Sequence, residues 1–132
     1  MDTRQTVEAM YRALATDDIP GFLDKLARDV VISEPAFLPY GGTYSGRDVF
    51  VRSVGPQVTR VLKMSTLVVN RLLVEDDCAI SILRVEIAAT GQQMEIAEEL
   101  VVRDGKVVEV RVFVNDAPSL ICAPASPNRT AE

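Results

Sequence analysis

The 132-residue chain is long enough for one hydrophobic core and too short for two, since domains run to roughly 100 to 200 residues. Hydrophobic residues at 48% and charged residues at 25% match soluble globular proteins and exclude disorder, collagen-like repeats and a disulfide scaffold. A net charge of −5 argues against a nucleic-acid partner, and the absence of histidine removes the commonest general base and metal ligand, leaving proton transfer to Asp, Glu, Tyr, Lys or Cys.

At the N-terminus, Met1-Asp2-Thr3-Arg4-Gln5 lacks the apolar run of a signal peptide, and no later segment is apolar over the roughly 18 residues of a membrane span. The expectation is a cytoplasmic protein with no membrane partner. Residues 3 to 15 place Val7, Met10, Tyr11 and Leu14 at the spacing of an amphipathic helix, with Thr3 or Thr6 as N-cap. Pro20 suits the start of a second helix, whose apolar set Ile19, Phe22, Leu23 and Leu26 predicts an end near Arg28-Asp29. Val30-Val31-Ile32-Ser33-Glu34 is a β-branched strand stopped by Pro35. Pro35 to Gly46, with its Gly, Pro and Tyr residues, reads as a loop, and Tyr40 and Tyr44 could line a pocket there. Residues 47 to 63 form a third helical stretch, interrupted at Gly55-Pro56.

Four strands follow, at about 66–74, 78–89, 92–103 and 106–114, with turns at Glu75-Asp76-Asp77, Thr90-Gly91 and Asp104-Gly105. The order is α+β, three N-terminal helices packed on one face of a curved, mainly antiparallel sheet. The domain spans residues 1–120, and the Ala-, Pro- and Ser-rich segment 121–132 reads as a mobile tail. Cys78 and Cys122 lack metal-ligand spacing and read as two reduced thiols. The glycines at 41, 42 and 46 do not form a phosphate loop, because no Lys-Ser/Thr and helix accompany them. No metal or cofactor is expected.

Two acidic positions stand out. Glu34 ends an inward row with Val30 and Ile32, and Glu98 interrupts the row Met94, Ile96, Leu100 and Val102, so it must be neutral, paired or facing a wet cavity. Tyr11 lies on the apolar stripe of the first helix.

Ile32-Ser33-Glu34-Pro35, the segment Pro39 to Arg47, and Val102-Arg103-Asp104-Gly105-Lys106-Val107-Val108 resemble the NTF2-like superfamily, over about residues 5 to 117. That superfamily includes ketosteroid isomerases, SnoaL-like polyketide cyclases and limonene-epoxide hydrolases, and the resemblance implies a cystatin-like cone. It places the isomerase general base at Glu34, with a glutamate for the family's aspartate. The protonated oxyanion donor falls at Glu98, a logic the ketosteroid isomerases themselves exemplify, and Tyr11 completes the oxyanion hole. Arg84-Val85-Glu86 resembles the Arg-x-Asp that orients water in the epoxide hydrolases, although the further aspartate of that family falls at Val112. The His-Trp-Asp of many SnoaL-like cyclases is replaced by Val110-Arg111-Val112. The implied pocket wall is Ile96, Leu100, Val110, Val112 and Val114.

The reading that follows is a cofactor-independent acid/base enzyme acting on a small apolar oxygenated molecule, as isomerase, dehydratase, cyclase or epoxide-opening catalyst. The alternative is a non-catalytic domain for ligand binding or dimerisation. A homodimer through the outer sheet face is expected, because the strand rows leave apolar surface uncovered.

Overall fold

The computed structural model describes residues 1–115. The expected tail at 121–132, and Cys122 with any pairing to Cys78, lie outside the described residues. The elements are α1 (Thr3–Ala15), α2 (Ile19–Asp24), β1 (Leu26–Glu34), β2 (Gly42–Ser45), α3 (Arg47–Ser53), α4 (Gly55–Val61), β3 (Leu62–Glu75), β4 (Cys78–Ile87), β5 (Gln93–Arg103) and β6 (Lys106–Val114). One six-stranded sheet has the order β2-β1-β6-β5-β4-β3, antiparallel throughout except for the parallel pair β1 and β6.

Helix α1 occupies the expected residues, but its N-cap is Asp2. The Asp2 carboxylate accepts from the Gln5 N–H at 2.8 Å, and the Gln5 side chain accepts from the Asp2 N–H at 3.0 Å. Helix α2 is shorter than its apolar spacing predicts. Leu26 belongs to the same core as Phe22 but reaches it from a strand, because the Val107 N–H donates to the Lys25 carbonyl at 2.7 Å and Leu26 pairs with Val107. Strand β1 therefore begins four residues before the β-branched run. The third helical stretch divides at Val54, ahead of the expected Gly55-Pro56 break, and β3 starts already at Leu62, which pairs with Ile87.

The hairpin between β5 and β6 turns through Asp104 (φ 54) and Gly105 (φ 72), the left-handed pair that the Asp-Gly sequence predicts. Strict alternation then decides which side chains meet the helices. On β4 the odd positions Ala79, Ser81, Leu83, Val85 and Ile87 are buried. On β5 the even positions Met94, Ile96, Leu100 and Val102 are buried, with Glu98 in the same row. Among the described residues no helix is long and apolar enough to cross a membrane.

Candidate active site

Strand alternation puts Glu34 at the open end of the inward row Val30 and Ile32, with its direction held by the turn that follows. The Leu38 N–H donates to the Pro35 carbonyl at 3.1 Å, the Gly41 N–H donates to the Leu38 carbonyl at 2.9 Å, and Glu34 pairs with Gly42. Any Cβ at position 41 would lie 2.2 Å from the Pro35 carbonyl oxygen, so glycine is what lets this turn close against the end of β1. Tyr40, in the same turn, is buried and close enough to Glu34 to feel its charge.

Glu98 and Ser81 are cross-strand partners on β5 and β4. Tyr11 reaches them from α1, donating its hydroxyl proton to Glu98 Oε1 at 2.6 Å, with Ser81 Oγ also 2.6 Å from the phenol oxygen. Because Tyr11 has one proton and gives it to Glu98, the Ser81 hydroxyl is left to donate to Tyr11, making a chain Ser81 to Tyr11 to Glu98. Ser81 is completely buried. It is the site residue that the sequence reading missed, although it is the one polar position in the row Ala79, Ser81, Leu83, Val85 and Ile87.

Two adjoining chambers open between the helices and the sheet. The outer one, of about 440 Å³, is walled mainly by apolar side chains, among them Met10, Phe22, Phe50, Val58 and Val112. The inner one, of about 70 Å³, is lined by Tyr11, Tyr40, Ile96 and Val114 among others. Glu34 and Glu98 line both. The model of the SnoaL-like domain matches residues 7–110, from the first turns of α1 into β6. The chain belongs to the SnoaL-like family.

Solved structures agree with this SnoaL-like fold. An NTF2-like protein of unknown function from Burkholderia pseudomallei K96243 is 23% identical with a TM-score of 0.76, over 93% of this chain and 99% of that one. A candidate ketosteroid isomerase from Kribbella flavida is 23% identical with a TM-score of 0.72, over 87% of this chain and 78% of that one. TerC, co-crystallised with polyporic acid, is 19% identical with a TM-score of 0.77, over 90% and 97% of the two chains. At these identities the likeness establishes the fold, and the chain is an NTF2-like cone. No curated protein matches it.

The two carboxyl groups of the SnoaL-like cavity are both raised, but in different surroundings. Burial, and then the Glu98 charge, push the Glu34 carboxyl up to about 8, and among the described residues no donor is paired with it. Burial also raises Glu98, but the Tyr11 hydrogen bond opposes the rise by stabilising the anion. The Glu98 charge thus acts on Glu34, and Glu34 keeps its proton through neutrality. The Tyr11 phenol is pushed well above its ordinary value by burial and by the Glu98 charge, and the Tyr40 phenol is raised by burial and by Glu34. Both remain protonated.

Several expected site positions sit elsewhere. Arg84 is exposed, and Arg84 and Glu86 project from the outer face of β4, opposite to Ser81 and the cavity. Even positions of β4 face outward because the odd ones fill the core, so the pair cannot orient water in the cone. Glu86 instead accepts a long hydrogen bond of 3.4 Å from Gln93. Arg111 pairs with Glu99 at 3.2 Å on the same outer face, and neither arginine reaches Glu98. Tyr44 is no wall residue of either chamber, because its hydroxyl donates to the Tyr40 and Gly41 carbonyls at 3.0 and 3.2 Å and braces the turn. Leu100 is wholly buried in the core and lines neither chamber, while Val110, Val112, Val114 and Ile96 do line them. Tyr11 and Glu98 meet as a donor and acceptor, and not as two donors aimed at a shared oxyanion. Among the described residues no group of three or more His, Cys, Asp or Glu could hold a metal ion.

Proposed function

We propose that this SnoaL-like domain is an acid/base enzyme acting on a small, largely apolar oxygenated molecule, with Glu34 as the acid and Glu98 as the base. The observation that carries the reading is that Glu34 and Glu98 share one apolar cavity while, among the described residues, only Glu98 receives a hydrogen bond. Two carboxylates pushed apart in acidity by their surroundings can work as a push-pull pair. Glu34 gives its proton to a carbonyl, hydroxyl or epoxide oxygen, and Glu98 takes one from a carbon or from water. The proton count of the pair is unchanged, and exchange with water returns the proton to Glu34. Isomerisation, dehydration, cyclisation and epoxide opening all use this step. The SnoaL-like family and the likeness to a candidate ketosteroid isomerase support it. Relative to the sequence expectation, this reading exchanges the roles of the two glutamates, because the Tyr11 hydrogen bond favours the Glu98 anion.

The test is the pH dependence of turnover, or of solvent-proton exchange, on a panel of enones, epoxides and hydroxy-ketones. A bell is expected, falling about tenfold per pH unit above about 8 as Glu34 loses its proton. A rate that climbs through pH 8 would restore Glu34 as the base, and no reaction with any of the panel would favour a binding domain.

The outer sheet face supports a homodimer. Leu73 (58% exposed), Ile80 (37%) and Phe113 (47%) project there, beside residues of both charges, Arg84, Glu95, Glu99 and Arg111. Such a patch is complementary to its own twofold copy. Sedimentation velocity is expected to show a dimer that Phe113→Glu converts to monomer. A monomeric wild type at ~50 μM would exclude it.

A further inference from the structure

Among the described residues the acidic groups of the cavity have no basic partner: no lysine or arginine lines either chamber, and no donor is paired with Glu34. Glu98, the carboxylate of the pair, has a hydrogen bond from Tyr11 but no counter-charge; a buried charge in that state is costly, and an ammonium occupant supplies what is missing, with the Glu34 carboxyl oxygen beside it as a further acceptor. The inner chamber, of about 70 Å³, has room for a small head group only, and its wall combines Glu34 and Glu98 with Tyr11 and Tyr40. Carboxylates flanked by aromatic rings are the side-chain set that recognises ammonium groups. The outer chamber adds about 440 Å³ of apolar space, including the Phe22 and Phe50 rings, whose centroids are 6.3 Å apart.

We infer that this cavity is a receptor for protonated apolar amines, the ammonium head entering between Glu34 and Glu98 and the hydrocarbon body filling the outer chamber. The inference goes beyond the proposed acid/base reaction, since binding an ammonium group needs the Glu98 carboxylate, the Glu34 carboxyl and the shape of the cavity but no proton transfer. The geometry ranks occupants by charge. An amine gains an ion pair inside an apolar enclosure, a neutral alcohol of the same length gains only burial and one hydrogen bond, and a carboxylate of that length meets like charge. Anionic metabolites are accordingly excluded as occupants. The Tyr11 bond to Glu98 at 2.6 Å fixes that carboxylate in place before the ligand arrives, so little ordering is needed on binding.

The test is calorimetric titration of the intact protein at pH 7 with hexylamine, hexan-1-ol and hexanoate, three probes of one length that differ in charge. Hexylamine is expected to bind at least about tenfold more tightly than hexan-1-ol, with no heat from hexanoate. Glu98→Gln keeps an oxygen for Tyr11 to donate to, and so preserves the fold. In that variant, and further in Glu34→Gln/Glu98→Gln, the preference for the amine over the alcohol should shrink toward one. Equal affinity for amine and alcohol in the wild type would overturn the inference. So would an amine preference that survives the double variant, or a failure of all three probes to bind. Turnover of neutral carbonyl substrates in a protein indifferent to amines would overturn this inference alone and leave the acid/base reading in place.

Discussion

Replacing Glu34 by glutamine is expected to lower turnover by about 10²- to 10⁴-fold, the usual worth of a general acid, while making the protein more stable at pH 8. The two effects have one origin. In the folded chain the Glu34 carboxyl holds its proton up to about 8, against an ordinary value of 4.5. Below pH 4.5 the folded and unfolded states both carry the proton, and the residue costs the fold nothing. Between 4.5 and about 8 the unfolded chain ionises and the folded chain does not, so stability falls as pH rises. Above about 8 the deficit is complete. The full difference corresponds to at most about 5 kcal/mol, and about 3 kcal/mol is expected because Glu34 is only partly buried. The glutamine side chain of the variant has no charge to bury and escapes the penalty. Melting curves should coincide for the two proteins near pH 4.5 and separate by about 10 °C at pH 8, with the variant higher. A constant separation across that range would show that Glu34 ionises normally in the fold.

Tyr11→Phe tests the other half of the site. The ring that packs on the core is retained, and only the oxygen that links Ser81 to Glu98 is lost. Ser81, completely buried, keeps a hydroxyl with no phenol to donate to, and Glu98 loses the donor that stabilises its anion. A cost of about 1–3 kcal/mol in folding stability is expected, measurable as a lower urea midpoint at unchanged slope. A merely structural tyrosine would do as much. The distinguishing readout is the acidic limb of the pH-rate profile, which should move to higher pH because Glu98 ionises less readily, with kcat down about 10- to 100-fold. An acidic limb that stays in place would mean that Tyr11 does not govern the ionisation of Glu98.

The fold was readable wherever periodicity and turn chemistry agreed. The stripe Val7, Met10, Tyr11 and Leu14 marks α1, and the Asp104-Gly105 turn with its flanking valines marks the last hairpin. Boundaries failed where long-range pairing decided them. Leu26 fits the helical spacing of Ile19, Phe22 and Leu23 equally well, and only pairing with β6, far along the chain, makes it the start of a strand. Strand β2 escaped notice because four residues, Gly42 to Ser45, carry too little pattern to stand apart from a loop. At the site, Glu34 and Glu98 were visible as acidic interruptions of apolar rows. Ser81 carried the same signal in a weaker form, since a hydroxyl in a strand is commonplace. The direction of Arg84 was not readable, because a shift of one residue in hairpin register reverses a face. Nor could the sequence show that Tyr11 gives its proton to Glu98, which depends on how α1 crosses β4 and β5 in space.

The central claim is that the two glutamates share the cavity unequally, with the first charge on Glu98 and the proton on Glu34. Side-chain carboxyl ¹³C shifts, followed by NMR between pH 4 and 10 with Glu34→Gln and Glu98→Gln used for assignment, observe this directly. The account predicts that Glu34 titrates at about 8, that Glu98 titrates below it, and that Glu34 moves downward in the Glu98→Gln variant as the neighbouring charge is removed. A Glu34 carboxyl that titrates near 4.5, or a Glu98 that holds its proton to higher pH than Glu34, would contradict it.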